Sequence, residues 1–150
     1  MSKYFDYKFG LTEIVPSKQD SNKEGEKIAA FRTLVEKTIT PEIMNLPTFP
    51  SKKEVVVFIL QFFLTRKDYE NRDVDNMSKT VLDCLKGKIY IEDVQVRTLV
   101  VSKKMYPRVP SNFVFIAIKE LHGDTDIDVV KTNLMEQAVT LYQTSVKSSQ

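Results

Sequence analysis

Two aspartates that are two residues apart, Asp73 and Asp75, form the densest polar signal in the chain, and Asn76 follows them directly. They come after a long apolar run and at the start of a helical pattern. An aspartate at such a place is often a helix N-cap, whose side chain accepts hydrogen bonds from free backbone N–H groups. Each aspartate taken singly fits that role, but a crowded pair needs a nearby cation, because like charges destabilise each other.

A second acidic pair, Glu92-Asp93, follows Gly87 and precedes a predicted strand. By itself this pair is a polar turn. In a strand, helix, strand arrangement, however, we expect the helix entrance and the start of the next strand to lie at the same sheet edge. Three carboxylates would then converge. Such an all-oxygen cluster suits Mg²⁺ or Mn²⁺, hard cations that also take water and substrate phosphate as ligands.

The composition leaves few other chemistries open. The 150 residues include one histidine, His122, and one cysteine, Cys84. A Ser-His-Asp or Cys-His mechanism would depend on one residue, and a thiolate cluster or an intramolecular disulfide is excluded. Cys84 lies beside an apolar stripe and is predicted to be a packed side chain, and His122 is predicted to be a turn residue. Any chemistry must therefore depend on carboxylates and lysines.

The elements that position these residues are predicted from hydrophobic periodicity. Alternating or continuous apolar runs predict strands over 5–11, 54–64, 94–105 and 113–118, of which the second is the central strand and the last two resemble a hairpin. Three- and four-residue spacing predicts a helix over 24–39, a second helix that ends at Gly87, and a third over 124–145. The polar stretch 65–72 is predicted to be a loop. The first helix should lie on the sheet.

The expected fold class is α/β (α+β), with a mixed sheet of about four strands flanked by helices. The chain is 42% hydrophobic, which is enough for a single domain with one core. We expect residues 1–123 to form the core and 124–150 to form a C-terminal helical extension of the same domain. No segment reaches the roughly 18 apolar residues of a membrane helix, and no signal-peptide core is present. A soluble, cytoplasmic protein with no membrane partner is therefore expected.

Three segments of this sequence together resemble the RusA-type Holliday-junction resolvases. They are Arg72-Asp-Val-Asp-Asn-Met-Ser-Lys79, Val81-Leu-Asp-Cys-Leu85 and Gly87-Lys-Ile-Tyr-Ile-Glu-Asp-Val-Gln-Val96. The family pattern has an Asp-x-Asp-Asn motif after a basic residue and a lysine three residues later. A Leu-Asp helix follows, and after a glycine comes an acidic-Asp-x-Gln-Val run. The spacing is kept throughout, which makes the resemblance specific.

The resemblance implies a metal-dependent, structure-selective endodeoxyribonuclease that acts as a homodimer on branched, four-way DNA junctions. It implies that Asp73, Asp75 and Asp93 hold Mg²⁺, with Mn²⁺ as a possible substitute, and that Lys79 is the cation near the scissile phosphate. The supporting residues are Arg72, Asn76 and Glu92. The implied reaction is in-line attack of a metal-activated water on a backbone phosphodiester. A two-fold dimer would present one such site to each of the two equivalent strands of the junction.

The formal net charge is only +2, so DNA contact would have to come from local basic clusters. The candidates are Lys86, Lys88, Lys103, Lys104 and Arg108, for which a solvated surface is the alternative explanation. An exposed ion-pair ladder through Asp75, Lys79 and Asp83 is the structural alternative for the predicted site. Two other functions stay open: a catalytically inactive module that binds branched DNA, and a protein-interaction domain whose C-terminal helix is the functional part.

Overall fold

A computed structural model describes residues 4–17, 22–105, 108, 110–123 and 132–148. Their helices and strands are, in chain order, β1 (Tyr7–Leu11), α1 (Asn22–Ile43), β2 (Val55–Phe63), α2 (Arg66–Glu70), α3 (Val74–Leu85), β3 (Val96–Met105), β4 (Phe113–Glu120) and α4 (Thr132–Ser148). A short 3₁₀ turn, Asp93–Gln95, precedes β3. The α+β class with a four-stranded mixed sheet is as predicted.

The sheet has the strand order β1-β4-β2-β3. The strand β2 pairs with β4 antiparallel and with β3 parallel, so the predicted central position of β2 is confirmed. The predicted hairpin of β3 and β4 is wrong, because β2 lies between them. A parallel partner can follow β2 through the crossover helix α3, and β2 then has a hydrogen-bonded strand along each of its two edges.

One face of the sheet carries the hydrophobic core. Alternate residues of β2 are fully or almost fully buried on this face, among them Val57, Ile59 and Phe63. The helix α1 packs there through the set Phe31, Val35, Ile39 and Ile43, and α3 through the set Met77, Val81 and Leu85. The first helix therefore lies on the sheet as predicted. It extends past its predicted end because its last turn also contributes to this core.

The stretch after β2 was predicted to be a loop but contains the short helix α2. The helix begins after Thr65, whose side chain accepts a hydrogen bond from the backbone N–H of Asp68 at 3.2 Å. This N-cap satisfies one of the free donors of the first turn, which is how a polar five-residue segment can form a helical turn.

Contacts divide the chain into two units, Met1–Glu120 and Leu121–Gln150. In the second unit, the side chains from Leu134 to Ser145 on α4 are all exposed. The predicted start of this helix at Asp124 falls outside the described residues, and the proposed single domain stays a prediction. No helix in the described part of the chain is long and apolar enough to cross a membrane.

Candidate active site

The aspartates Asp73 and Asp75 lie at the sheet edge where β2 ends. Asp73 is the N-cap residue of α3, with extended backbone angles. This is the helix-capping position that the sequence predicts as one alternative. Its side chain nevertheless makes no capping hydrogen bond. Asp75 lies in the first turn of α3, and both side chains are exposed. The positive end of the helix dipole favours these two carboxylates and also any anion that binds near them.

Lys79 lies one helical turn after Asp75 on the same exposed face of α3. The ion pair predicted between these two side chains as a structural alternative is not formed, and neither side chain has an ion-pair partner among the described residues. Asn76 is half-buried, and its backbone carbonyl accepts a hydrogen bond from Thr80. Asp75 and Lys79 therefore do not neutralise each other through an ion pair.

The segment Glu13–Pro16, which faces this edge, is fixed by two buried polar side chains. The amide of Gln61 accepts a hydrogen bond from Val15 N at 3.0 Å and donates to Glu13 O at 3.0 Å. Thr80 of α3 donates to Pro16 O at 2.8 Å. The sequence prediction missed Gln61, and its only sequence signal is a single polar residue within an apolar strand.

Arg72 directly precedes Asp73 and is half-buried. Its Nη1 donates to Asn71 O at 3.3 Å, while its buried Nε has no hydrogen-bond partner in the described part of the chain. The side chain lines a cleft of about 310 Å³ together with Glu13 and Lys27. Arg72 therefore stands between the α3 N-terminus and the loop that follows β1.

The basic residues predicted to contact DNA have different environments at this edge. Lys104 and Arg108 are exposed near the end of β3. Lys103 is half-buried, and its Nζ donates to Tyr69 O at 2.7 Å and to Arg72 O at 2.8 Å. The prediction that Lys103 contacts DNA is not supported, because its ammonium group points inward to backbone carbonyls.

The third predicted carboxylate, Asp93, lies at the opposite edge of the sheet. Because β2 and β3 are parallel, with Val55 paired to Val96 and Phe63 to Met105, β3 starts where β2 also starts. The prediction that the helix entrance and the start of β3 share one edge is therefore wrong. The helix α3 runs from one edge to the other and is roughly 18 Å long at about 1.5 Å per residue.

Asp93 contacts the far end of α3. Its Oδ2 lies 3.5 Å from Nζ of Lys86, the C-cap residue of that helix. Ligand oxygens of one Mg²⁺ lie about 2.0–2.1 Å from the ion, hence within roughly 4 Å of one another. No three Asp, Glu, His or Cys side chains of the described residues are grouped closely enough to hold a metal ion. Two carboxylates, on Asp73 and Asp75, still fit the usual Mg²⁺ donor set of one or two carboxylates with waters and phosphate.

The Glu92-Asp93 turn is held in place by Gln95. The side-chain oxygen of Gln95 accepts hydrogen bonds from Ile91 N at 2.8 Å and Glu92 N at 2.7 Å. Its amide nitrogen donates to Ser51 O at 2.7 Å and Lys53 O at 2.8 Å. This side chain therefore attaches the acidic turn to the chain that enters β2.

The remaining polar residues at this second edge are basic or exposed. Lys86 is exposed beside Asp93, Lys88 is half-buried, and Glu92 is exposed. The edge that carries Asp93 thus has its own predicted basic cluster, as does the edge that carries the aspartate pair.

The cysteine and the histidine have no part in either acidic group. Cys84 is 3% exposed, which confirms that it is a packed side chain, and burial raises the pKa of its thiol to about 11. His122 is exposed just after β4, next to Gly123, whose φ is +109°. A thiol with a raised pKa is a poor nucleophile near neutral pH.

A family model for the endodeoxyribonuclease RusA matches residues 15–118 of this chain, which is more than two thirds of it. The chain belongs to the RusA endodeoxyribonuclease family. The match contains both acidic groups, and it extends well beyond the segment 72–96 on which the sequence resemblance was based. Membership of the RusA family implies DNA binding and endonuclease activity on Holliday junctions. No curated protein matches the chain.

Proposed function

We propose that this RusA-family protein is a metal-dependent endodeoxyribonuclease that resolves four-way DNA junctions, with Asp73 and Asp75 as ligands of Mg²⁺ or Mn²⁺. The observation that carries the proposal is the absence of a capping hydrogen bond at the Asp73 side chain. It occupies an N-cap position yet makes no capping bond, and Asp75 beside it has no ion-pair partner among the described residues. A cytoplasmic location is part of the same proposal.

The bound cation would polarise the scissile phosphate and supply a nucleophile near neutral pH, while this chain's residues bind and orient the DNA. The N-terminus of α3 favours a phosphate placed beside the aspartates. Lys79, one turn further along the same face, would stabilise the negative charge that develops on the phosphate. Arg72 would orient the DNA backbone from the cleft beside Asp73.

The test is cleavage of a synthetic four-way junction in Mg²⁺ by the wild-type protein and by Asp75→Asn. We expect the wild type to cut, and the variant to bind the junction but lose at least about a hundredfold in rate, because it lacks a ligand of the cation that stabilises the developing charge. Undiminished cutting by Asp75→Asn would contradict the assigned role. A wild type that binds junctions but cuts in neither Mg²⁺ nor Mn²⁺ would favour the catalytically inactive alternative.

We further propose that Asp93 acts in the site of the partner protomer of a homodimer. Within one chain, the length of α3 separates Asp93 from Asp73 and Asp75. A two-fold axis that crosses the middle of α3 would turn the partner helix end for end. The partner's Asp93 would then lie near the first protomer's aspartate pair, and two complete sites would form.

The charges on the exposed face of α3 support this arrangement. Along α3 and its C-cap they alternate in sign, in the order Asp75, Lys79, Asp83 and Lys86, of which Asp83 is half-buried. An antiparallel copy of the same helix reverses that order, so the two copies place unlike rather than like charges opposite each other. Such self-complementarity is what a two-fold interface requires.

A further inference from the structure

Lys103 joins the edge strand β3 to the segment that leads into the candidate active site. It pairs in register with Gln61 of β2 and is half-buried. Its Nζ donates to Tyr69 O and Arg72 O, at 2.7 and 2.8 Å, and lies 4.2 Å from the centroid of the Tyr69 ring. Two of these contacts are with Tyr69, in the last turn of α2, and the third is with Arg72, on the short segment between α2 and α3.

The carbonyl of Arg72 belongs to the peptide group whose nitrogen is that of Asp73. A hydrogen bond to this oxygen therefore fixes the peptide plane from which the Asp73 side chain extends. The segment's own backbone bonds, from Tyr69 N to Thr65 O and from Asn71 N to Lys67 O, are local to α2. The ammonium group of Lys103 is what ties these carbonyls to the sheet, and charge-assisted bonds of this length are strong ones.

We propose that Lys103 is a positioning residue for the nuclease site: it holds the backbone before Asp73 so that this carboxylate has a fixed place relative to Asp75. This inference rests on the function proposed above. Two carbonyls converge on one nitrogen, which suits the compact ammonium of lysine better than the planar guanidinium of arginine. With two of its three N–H donors directed inward, Lys103 contributes little to a DNA-facing surface.

The experiment compares Lys103→Met with Lys8→Met, which removes the same charge from an exposed position on β1. At saturating enzyme, we expect Lys103→Met to cut a four-way junction roughly 10- to 100-fold more slowly, as small misplacements of catalytic groups do. It should also need more Mg²⁺ for half-maximal rate, while its junction affinity matches that of Lys8→Met. Lys103→Arg should restore the rate only in part. A lower affinity with an unchanged saturated rate would make Lys103 a DNA contact and overturn the proposal.

A second measurement needs neither DNA nor metal. Amide hydrogen exchange at Tyr69 and Asn71, whose N–H groups donate to Thr65 O and Lys67 O, should be at least tenfold faster in Lys103→Met than in the wild type, with β2 amides unchanged. Unchanged exchange at these two amides would overturn the proposal whether or not the protein cuts DNA. A wild type that cuts no junction while exchange responds as expected would instead contradict only the proposed function.

Discussion

Gln61 is the buried polar side chain whose removal should have the largest measurable effect on folding. It is fully buried, accepts a hydrogen bond from Val15 N at 3.0 Å and donates its two N–H groups to Glu13 O at 3.0 Å and Phe113 O at 3.1 Å, with Phe62 O as a shared acceptor at 3.2 Å. Gln61→Leu keeps the approximate shape and removes these bonds. Each bond contributes about 0.5–1.5 kcal/mol net, and a buried N–H left unpaired costs about 1–3 kcal/mol.

These terms, reduced by the favourable burial of a leucine, give a loss of about 3 kcal/mol in the free energy of unfolding. Urea unfolding followed by circular dichroism should show it as a midpoint about 1–2 M lower at an unchanged slope. The control is Gln143→Leu, the same change at an exposed position of α4, which should stay within about 0.5 kcal/mol of the wild type. A loss below about 1 kcal/mol for Gln61→Leu would refute the view that these bonds stabilise the fold.

Three further predictions concern packing, titration and the second acidic edge. A Cβ on Gly10 would overlap the Phe113 ring, so Gly10→Ala should lower the free energy of unfolding by about 1–3 kcal/mol. Gly25→Ala, with open space on α1, should raise it by up to about 1 kcal/mol, as measured by urea unfolding. Because burial raises the pKa of Cys84 to about 11 from 9.0, the folded state holds this proton more tightly than the unfolded state, and stability should fall as pH rises from about 9 to 11. Urea midpoints across this range should fall less in Cys84→Ala, and an identical slope would contradict this reasoning. Gln95→Leu removes four hydrogen bonds of 2.7–2.8 Å and should slow junction cutting at least tenfold while leaving junction binding intact, which a gel-based cleavage assay checks.

Local patterns predicted the elements of this fold well. The apolar run of β2 identified the central strand, and the apolar stripe of α3 identified the buried position of Cys84. The position of Asp73 at a helix start also followed from local signals. These features depend on residues close in sequence, for which periodicity and capping preferences are informative.

Pairing between distant segments was not predicted from the pattern. Two adjacent strand patterns suggested a hairpin, but periodicity does not identify a strand's partner. The expected convergence of three carboxylates failed for a related reason: a strand, helix, strand unit in one sheet is a parallel crossover, which puts the end of one strand and the start of the next at opposite edges. The hydrogen bonds of Gln61 with Val15, Glu13 and Phe113, and those of Lys103, join residues 31 to 52 positions apart. Their roles therefore appear only in the folded chain.

The most direct test of the proposed two-protomer site is a subunit-mixing experiment with Asp75→Asn and Asp93→Asn. Each variant alone should fail to cut a four-way junction in Mg²⁺. If Asp93 acts in the partner's site, a mixed dimer holds one site with both substitutions and one with none, so mixing should restore nicking of one strand. If both residues act within one chain, every site in the mixed dimer carries one substitution. Absence of activity after verified subunit exchange would therefore contradict the account.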